Sequence, residues 1–433
     1  MFRIRGRTYL RAFTIAAWLK SEKGRKTSMK QTKRSTWVEY YRDVAFCVSM
    51  RSKDPSLQVG CVTVHPKSLR ILSAGYNGFP PGTPNKDENW RKGKKDDFVV
   101  HAEANTVLLA GQADLEGSIA FVTMYPCREC AKMLIAKGVR KVYYLSLKKK
   151  YQADSTAIFK EADVEVVPIK RGEDTTLEDY GNHLIQKVSF VMQQNTTPGE
   201  PNDAYKALKK STKELRSSDL QSPWPRELMG KILLDKWTDY FLFLALIAST
   251  RSLENPQGAI LIDSKTLKIS ALSYNGYPRG VSNDNADDWM KLSALTNAIC
   301  LRFSEGHDFI AFSTHFPKLH EVKNLAQAQV KRLYFIWPKT LEGDDEKALQ
   351  IMKDSGMEVV PMDVPDLEKL GEAIKYTIGS LKEAEKGLSS GDWPSYTWTE
   401  YDLQPERHRW KPEQTPKART CSGAHSTYHN DSI

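Results

Sequence analysis

The sequence predicts an α/β protein of two tandem three-layer α/β/α domains, each with a five-stranded mixed sheet. Three observations carry that expectation. Apolar spacings of helical and strand period alternate from Trp37 to Ile169. The same order of elements recurs about 200 residues later. In each copy a short polar turn joins the first two strands, which makes a hairpin, while a helix separates the last two, which forces a parallel crossover.

The elements of the first copy follow from period and punctuation. Residues 37–52, WVEYYRDVAFCVSMRS, have helical spacing and stop before Asp54-Pro55. QVGCVTVH (58–65) and RILSAGYNG (70–78) read as strands. After a polar loop come a helix at HAEANTVLLAG (101–111), a strand at SIAFVTMYP, and a helix at CRECAKMLIAKG ended by Gly138. A strand at VRKVYYLS, a helix at DSTAIFKEAD and a strand at VEVVPI complete the set.

The second copy answers in the same order. Trp237, Tyr240, Ala245, Arg251 and Ser252 stand 200 places after Trp37, Tyr40, Ala45, Arg51 and Ser52. IAFSTHFP matches IAFVTMYP, VKRLYFI matches VRKVYYL, and EVVP occurs at both Glu165 and Glu358. Ordered matches of this kind indicate a tandem duplication. The expected organisation is a basic arm (1–36), a first domain (37–170), a polar linker (171–225), a second domain (226–388) and a tail (389–433).

A chain of 433 residues fits two domains of roughly 150 residues each plus tails. No apolar run reaches the ~20 residues that span a bilayer, so no membrane segment is expected. The net charge of +10 is confined to one end. Of 63 basic residues eleven, and of 53 acidic residues one, fall in positions 1–36, which leaves 52 of each sign for the rest. A phosphate-tracking groove needs its charge on the folded body, so polynucleotide binding is not expected. The arm itself, Arg-rich and acid-free until Glu22, suits a mitochondrial transit peptide or a nuclear signal on a protein otherwise cytoplasmic or nuclear. Cys47, Cys61 and Cys300 stand in apolar contexts and are expected in the core; only Cys127 and Cys130 have metal-ligand spacing.

That spacing belongs to a larger pattern. His101-Ala-Glu103 is followed by Pro126-Cys127-Arg-Glu-Cys130. The two cysteines lie one turn apart at a helix N-terminus, where the dipole favours thiolate. One imidazole and two thiolates make three ligands for Zn²⁺ and leave the fourth tetrahedral position for water. Glu103, two residues from His101, is placed to move that water's protons. A closed structural zinc knot would need a fourth Cys or His nearby, and only His65 and His183 remain in this copy.

The constellation resembles the zinc-dependent cytidine and deoxycytidylate deaminase superfamily, and RSKDPSLQVG (51–60), GYNGFPPG (75–82), HAEANTV and YPCRECAKMLIAKGVRKV make residues 37–170 similar to the deoxycytidylate deaminases. The resemblance implies a cytidine-deaminase-like fold, one zinc per chain, and hydrolysis of dCMP to dUMP and ammonia, supplying dUMP for thymidylate synthesis. It further implies that Asn77 holds the sugar, Arg51 the 5′ phosphate, and that Tyr151 packs near the pyrimidine. Deamination of dCTP, CMP or cytidine, polynucleotide editing, and a non-catalytic nucleotide sensor are the alternative readings.

In the second copy Ser293 and Leu295 replace His101 and Glu103, and Lys318 and Glu321 replace the two cysteines. His315 and His320 do not rebuild a ligand set, so this copy is expected to fold without reacting. Arg251, Tyr274 and Asn275 are retained. Because the resembled family consists of oligomers controlled by nucleoside triphosphates, Lys53, Arg251 and Asn275 are candidates for a dCTP or dTTP effector site, with a packing role as the rival reading, and the chain is expected to form a homo-oligomer.

Overall fold

The computed structural model describes residues 35–169, 176–195, 203–217, 236–278, 290–302, 308–336 and 343–388, apart from single positions at 81, 85, 92, 112, 253 and 364. The expected basic arm through residue 34 and the expected tail lie outside the described residues.

The first helix, α1 (Trp37–Ser49), starts where the sequence caps it. Thr36 Oγ1 accepts the Glu39 N–H at 3.2 Å, and Glu39 Oε2 accepts the Thr36 N–H at 2.7 Å. The reciprocal pair satisfies two donors that helix geometry leaves orphaned. There follow β1 (Gly60–Val64), β2 (Ile71–Tyr76), α2 (Ala102–Ala110), β3 (Ile119–Met124), α3 (Arg128–Ala136), β4 (Lys141–Ser146), α4 (Lys149–Glu161) and β5 (Glu165–Pro168). The sheet order is β2-β1-β3-β4-β5. β1 pairs antiparallel with β2 and β3, and β3, β4 and β5 pair in parallel, as the connections dictated.

The second half repeats this topology. It comprises α8 (Trp237–Ser249), β6 (Gly258–Asp263), β7 (Ile269–Tyr274), α9 (Ala294–Leu301), β8 (Phe309–Ser313), α10 (Leu319–Gln327), β9 (Val330–Ile336), α11 (Asp344–Asp354) and β10 (Glu358–Met362), in sheet order β10-β9-β8-β6-β7. Even close contacts recur. A Cβ on Gly60 would lie 2.2 Å from the Ala45 carbonyl oxygen, and one on Gly258 would lie 1.8 Å from that of Ala245. Each first strand thus leans on its helix backbone where only glycine fits.

Each half adds a long helix after its last strand: α5 (Leu177–Asn195) and α12 (Leu367–Ala384). The stretch expected to begin as linker at residue 171 therefore carries a 19-residue helix. Its apolar positions, Leu177, Tyr180, Leu184, Val188 and Val191, keep helical spacing and are buried. Tyr180 Oη donates to Asp43 Oδ1 at 3.1 Å, and the Lys187 ammonium lies 3.3 Å from Asp43 Oδ2. Burial would push the Asp43 carboxyl up, but Arg42 and Lys187 beside it hold it below the usual range. A buried carboxylate so paired ties α5 to α1. Two shorter helices, α6 (Asp203–Ser211) and α7 (Lys213–Ser217), follow.

The two halves meet where α1 packs on α8 and α5 on α12, with β2 beside β7. This explains why Tyr240 to Ser249 is apolar all round: every residue of that run is buried. The contact is reciprocal. Arg51 lies over the Trp237 ring at 4.2 Å, and Arg251 over the Trp37 ring at 4.1 Å. Both arginines are buried, so each cation–π contact is desolvated, where it is worth about 2 kcal/mol. Cys47 and Cys61 are core residues as expected; Cys300 is exposed, because α9 turns Ala294, Leu295 and Ala298 inward and Cys300 outward. Among the described residues no helix is long and apolar enough to cross a membrane.

Candidate active site

His101 is the N-cap of α2, Cys127 the N-cap of α3, and Cys130 sits in the first turn of α3. Cys127 Sγ and Cys130 Sγ each lie 3.4 Å from His101 Nδ1, and the three ligand atoms fall within 4.8 Å of one another. Bond lengths of about 2.3 Å to sulfur and 2.0 Å to nitrogen at a tetrahedral angle predict an S-to-N separation of about 3.5 Å. The three side chains therefore fit zinc by distance as well as by chemistry. No other such group of His, Cys, Asp or Glu occurs among the described residues.

The electrostatics suit a cation. A hydrogen bond from Cys130 pulls the Cys127 thiol down to about 4, with His101 adding to the effect. The same bond, with burial and the nearby Glu103 carboxylate, pushes Cys130 up. His101 is raised to about 9, first by its hydrogen bond to Cys127. A divalent ion held by His101, Cys127 and Cys130 would require all three deprotonated and would displace the protons these groups otherwise share.

Glu103 sits in the first turn of α2 and is only 3% exposed. Burial raises its pKa, partly opposed by His101, and its carboxyl reaches Cys130. It lies beside the ligand cluster and outside it, the position a proton carrier needs.

Backbone pairing fixes His101 in space. Gly78 N–H donates to Val100 O at 3.0 Å and Val100 N–H to Gly78 O at 2.8 Å, directly before His101. Asn105 Nδ2 donates to Tyr76 O at 2.8 Å. A Cβ on Gly75 would lie 2.7 Å from the Thr106 nitrogen, so glycine lets β2 and α2 come this close.

The remaining expected residues have the following surroundings. Asn77 is buried with both ends of its amide engaged: Oδ1 accepts the Val59 N–H at 2.8 Å, and Nδ2 donates to Leu57 O at 2.9 Å and Asp54 Oδ2 at 3.2 Å. Asn275 repeats the arrangement, accepting from Gln257 N–H at 2.8 Å and donating to Asn255 O at 3.1 Å. Arg51 and Arg251 are stacked on the tryptophans between the halves. Lys53 is half-buried, and burial together with Arg51 holds its ammonium below the usual range. Tyr151 falls in the first turn of α4, its side chain outside the described residues.

Sequence reasoning missed Asp54, Gln58 and Lys95. Lys95 Nζ donates to both oxygens of Asp54, at 2.9 and 2.8 Å, closing the 54–58 loop against the segment that leads to His101. Lys95 lies in a polar loop without period, so no pattern marked it. Also unforeseen was what fills the degenerate site. Glu321, in the place of Cys130, is fully buried; Oε1 lies 3.1 Å from His315 Nε2, and Oε2 accepts the Lys318 N–H at 2.7 Å. Burial would raise Glu321, but the His315 charge and hydrogen bonds from His315 and Ser293 bring it down to about 2. One carboxylate thus joins the N-termini of α9 and α10, as the metal ligands join α2 and α3.

A fold of this topology with a His/Cys/Cys cluster and an adjacent buried glutamate defines a zinc-dependent deaminase. Residues 35–146 match the family model for the cytidine and deoxycytidylate deaminase zinc-binding region. The deoxycytidylate deaminase of Mus musculus is 38% identical over 137 residues, which cover 30% of this chain and 76% of the relative. That of Homo sapiens is 36% identical over 127 residues, 28% and 71% of the two chains. The solved dCMP deaminase of cyanophage S-TIM5 is 30% identical, covering 30% of this chain and 96% of its own, with a TM-score of 0.26. The chain belongs to the deoxycytidylate deaminase family.

Proposed function

We propose that the chain hydrolyses dCMP to dUMP and ammonia at the site built by His101, Glu103, Cys127 and Cys130. The observation that carries this reading is a buried carboxyl set beside a three-ligand cluster on two helix N-termini. When bound, zinc supplies there a water acidified towards neutrality. Glu103 does the proton work. Its raised pKa suits it to take one proton from the attacking water and place it on the pyrimidine ring nitrogen, where it stays in dUMP, and then to carry the proton left on that oxygen to the amine, which departs as ammonia.

Family membership supports the nucleotide substrate, and the charge balance of positions 37–433 speaks against a polynucleotide. Deamination of dCTP is the second reading, supported by Lys53 beside Arg51, two cations that additional phosphate would relieve. A panel of cytidine, CMP, dCMP, dCTP and a short single-stranded oligonucleotide is expected to show dCMP preferred; preference for the oligonucleotide overturns the proposal. Glu103→Ala is expected to abolish ammonia release while about one zinc per chain remains bound. Turnover above a few percent removes the role given to Glu103.

For the second half, the engaged amide of Asn275 and the stacked Arg251 support a packing role over an effector site. A homo-oligomer and control by dCTP or dTTP are proposals from family likeness, tested by the chain's mass in solution and by equilibrium binding of each triphosphate to the full chain. Targeting by the basic arm is likewise a proposal, tested by imaging the chain with and without residues 1–34.

A further inference from the structure

The helix α12 closes the second half, yet its polar residues engage the first. Thr377 Oγ1 donates to Gln58 Oε1 at 2.5 Å, Gln58 N–H donates to Ser380 Oγ at 3.3 Å, and Tyr376 Oη donates to Pro55 O at 2.9 Å. Gln58, Thr377 and Ser380 are all buried, so water does not replace these partners cheaply. Gln58 Nε2 in turn donates to Ser52 O at 2.6 Å, and Ser52 Oγ donates to Asn77 O at 2.8 Å.

The bonded segments continue to the metal ligands. Asn77 N–H donates to Val59 O at 3.1 Å while Val59 N–H donates to Asn77 Oδ1 at 2.8 Å, Gly78 pairs with Val100, and His101 is next in the chain. Lys95 holds Asp54 from the opposite side. The 52–59 loop is therefore clamped between α12 and the segment that presents His101. The half that has lost the reactive groups supplies one jaw of that clamp.

We propose that Thr377 and Ser380 are positioning residues for the deamination: by holding Gln58 they set the 52–59 loop and, through Asn77 and Gly78, the wall of the substrate site beside His101. This inference rests on the dCMP reading above. It gives the degenerate half a task in the reaction that requires neither a ligand nor a metal of its own.

The test uses the full chain with zinc bound. Thr377→Val removes the donor at nearly constant volume, and Ser380→Ala removes the acceptor. Each is expected to raise the KM for dCMP about tenfold, the scale of one buried group left without its partner, with kcat within about twofold. Amide exchange over residues 54–59 is expected to quicken in the same variants. Thr377→Ser, which keeps the hydroxyl, is expected to restore both. Ile378→Val, which thins the contact of α12 with Gly181 without touching Gln58, is expected to leave KM at the wild-type value. An unchanged KM in Thr377→Val, or an equal rise in Ile378→Val, overturns the inference. If the wild-type chain does not turn over dCMP, the functional reading falls, and the clamp is then judged by exchange alone: unchanged protection over 54–59 in Thr377→Val overturns it too.

Discussion

At the scale of single residues, the two asparagines of the repeated Tyr-Asn-Gly turns show how far pattern carries. The sequence displays them as equivalent, and the structure agrees, because each amide oxygen accepts a backbone N–H 18 residues earlier. What the pattern does not reveal is that each also clamps a loop. A residue type is visible in sequence, whereas the hydrogen bonds it makes depend on a segment brought in by the fold. If clamping is the shared task, Asn77→Ala strands the buried Val59 N–H and lowers unfolding free energy by about 1–3 kcal/mol, measured in denaturant, while Asn275→Ala, which strands the part-buried Gln257 N–H, costs less. A loss of activity in Asn77→Ala with unchanged stability would point back to the sugar. The metal ligands and Glu103 were legible for the opposite reason. Their chemistry fixes both residue type and spacing, so few other arrangements satisfy it.

At the scale of elements, the strands and helices of both sheets followed from periodicity, and α5 did not. Its apolar stripe is regular, but Thr175 and Thr176 precede it, Pro198 and Pro201 follow it, and Asp43, the residue that anchors it, is over a hundred positions away. The pair α9 and α10 also holds a stabilising device that spacing did not announce. Glu321 has a folded pKa of about 2 against an ordinary 4.5, so its contribution is present in full above about pH 4.5 and is lost as pH falls towards 2. Glu321→Gln is accordingly expected to be less stable than wild type at pH 7, with the gap beginning to close below about pH 5. Thermal melts of both proteins across this range check it, and a gap that stays constant down to pH 3 refutes the assignment. Acid effects on the thiolate cluster are common to both proteins and cancel in the comparison.

For the whole molecule, the sequence indicated two domains, and the structure packs them against each other on a shared core. Residues from α1, α5, α8, α12 and both sheets share a single apolar cluster. A second apolar cluster lies within the second half alone, but the shared one couples the melting of the two halves. Calorimetry is therefore expected to show one transition, and chelation of zinc to lower its midpoint without splitting it. Two resolved transitions, only one of them sensitive to chelator, would show that the halves are independent. The arrangement also explains why charge was a poor guide to function: the excess lies in the arm, outside the described residues, and the packed body has none.

The crossed arginine–tryptophan pairs bear on the history of such a chain. In a dimer of identical subunits every substitution appears on both sides of the axis at once, so any change at the contact must suit itself. Once the two subunits are one polypeptide, that constraint is lifted. Arg51 and Trp37 can stay while their counterparts' neighbours drift, and the drift is tolerated as long as Trp237 and Arg251 still meet them. Fusion thereby permits asymmetry: one half keeps the ligands, and the other is free to exchange them for Ser293, Lys318 and Glu321 while still presenting Trp237 and Arg251 to its twin.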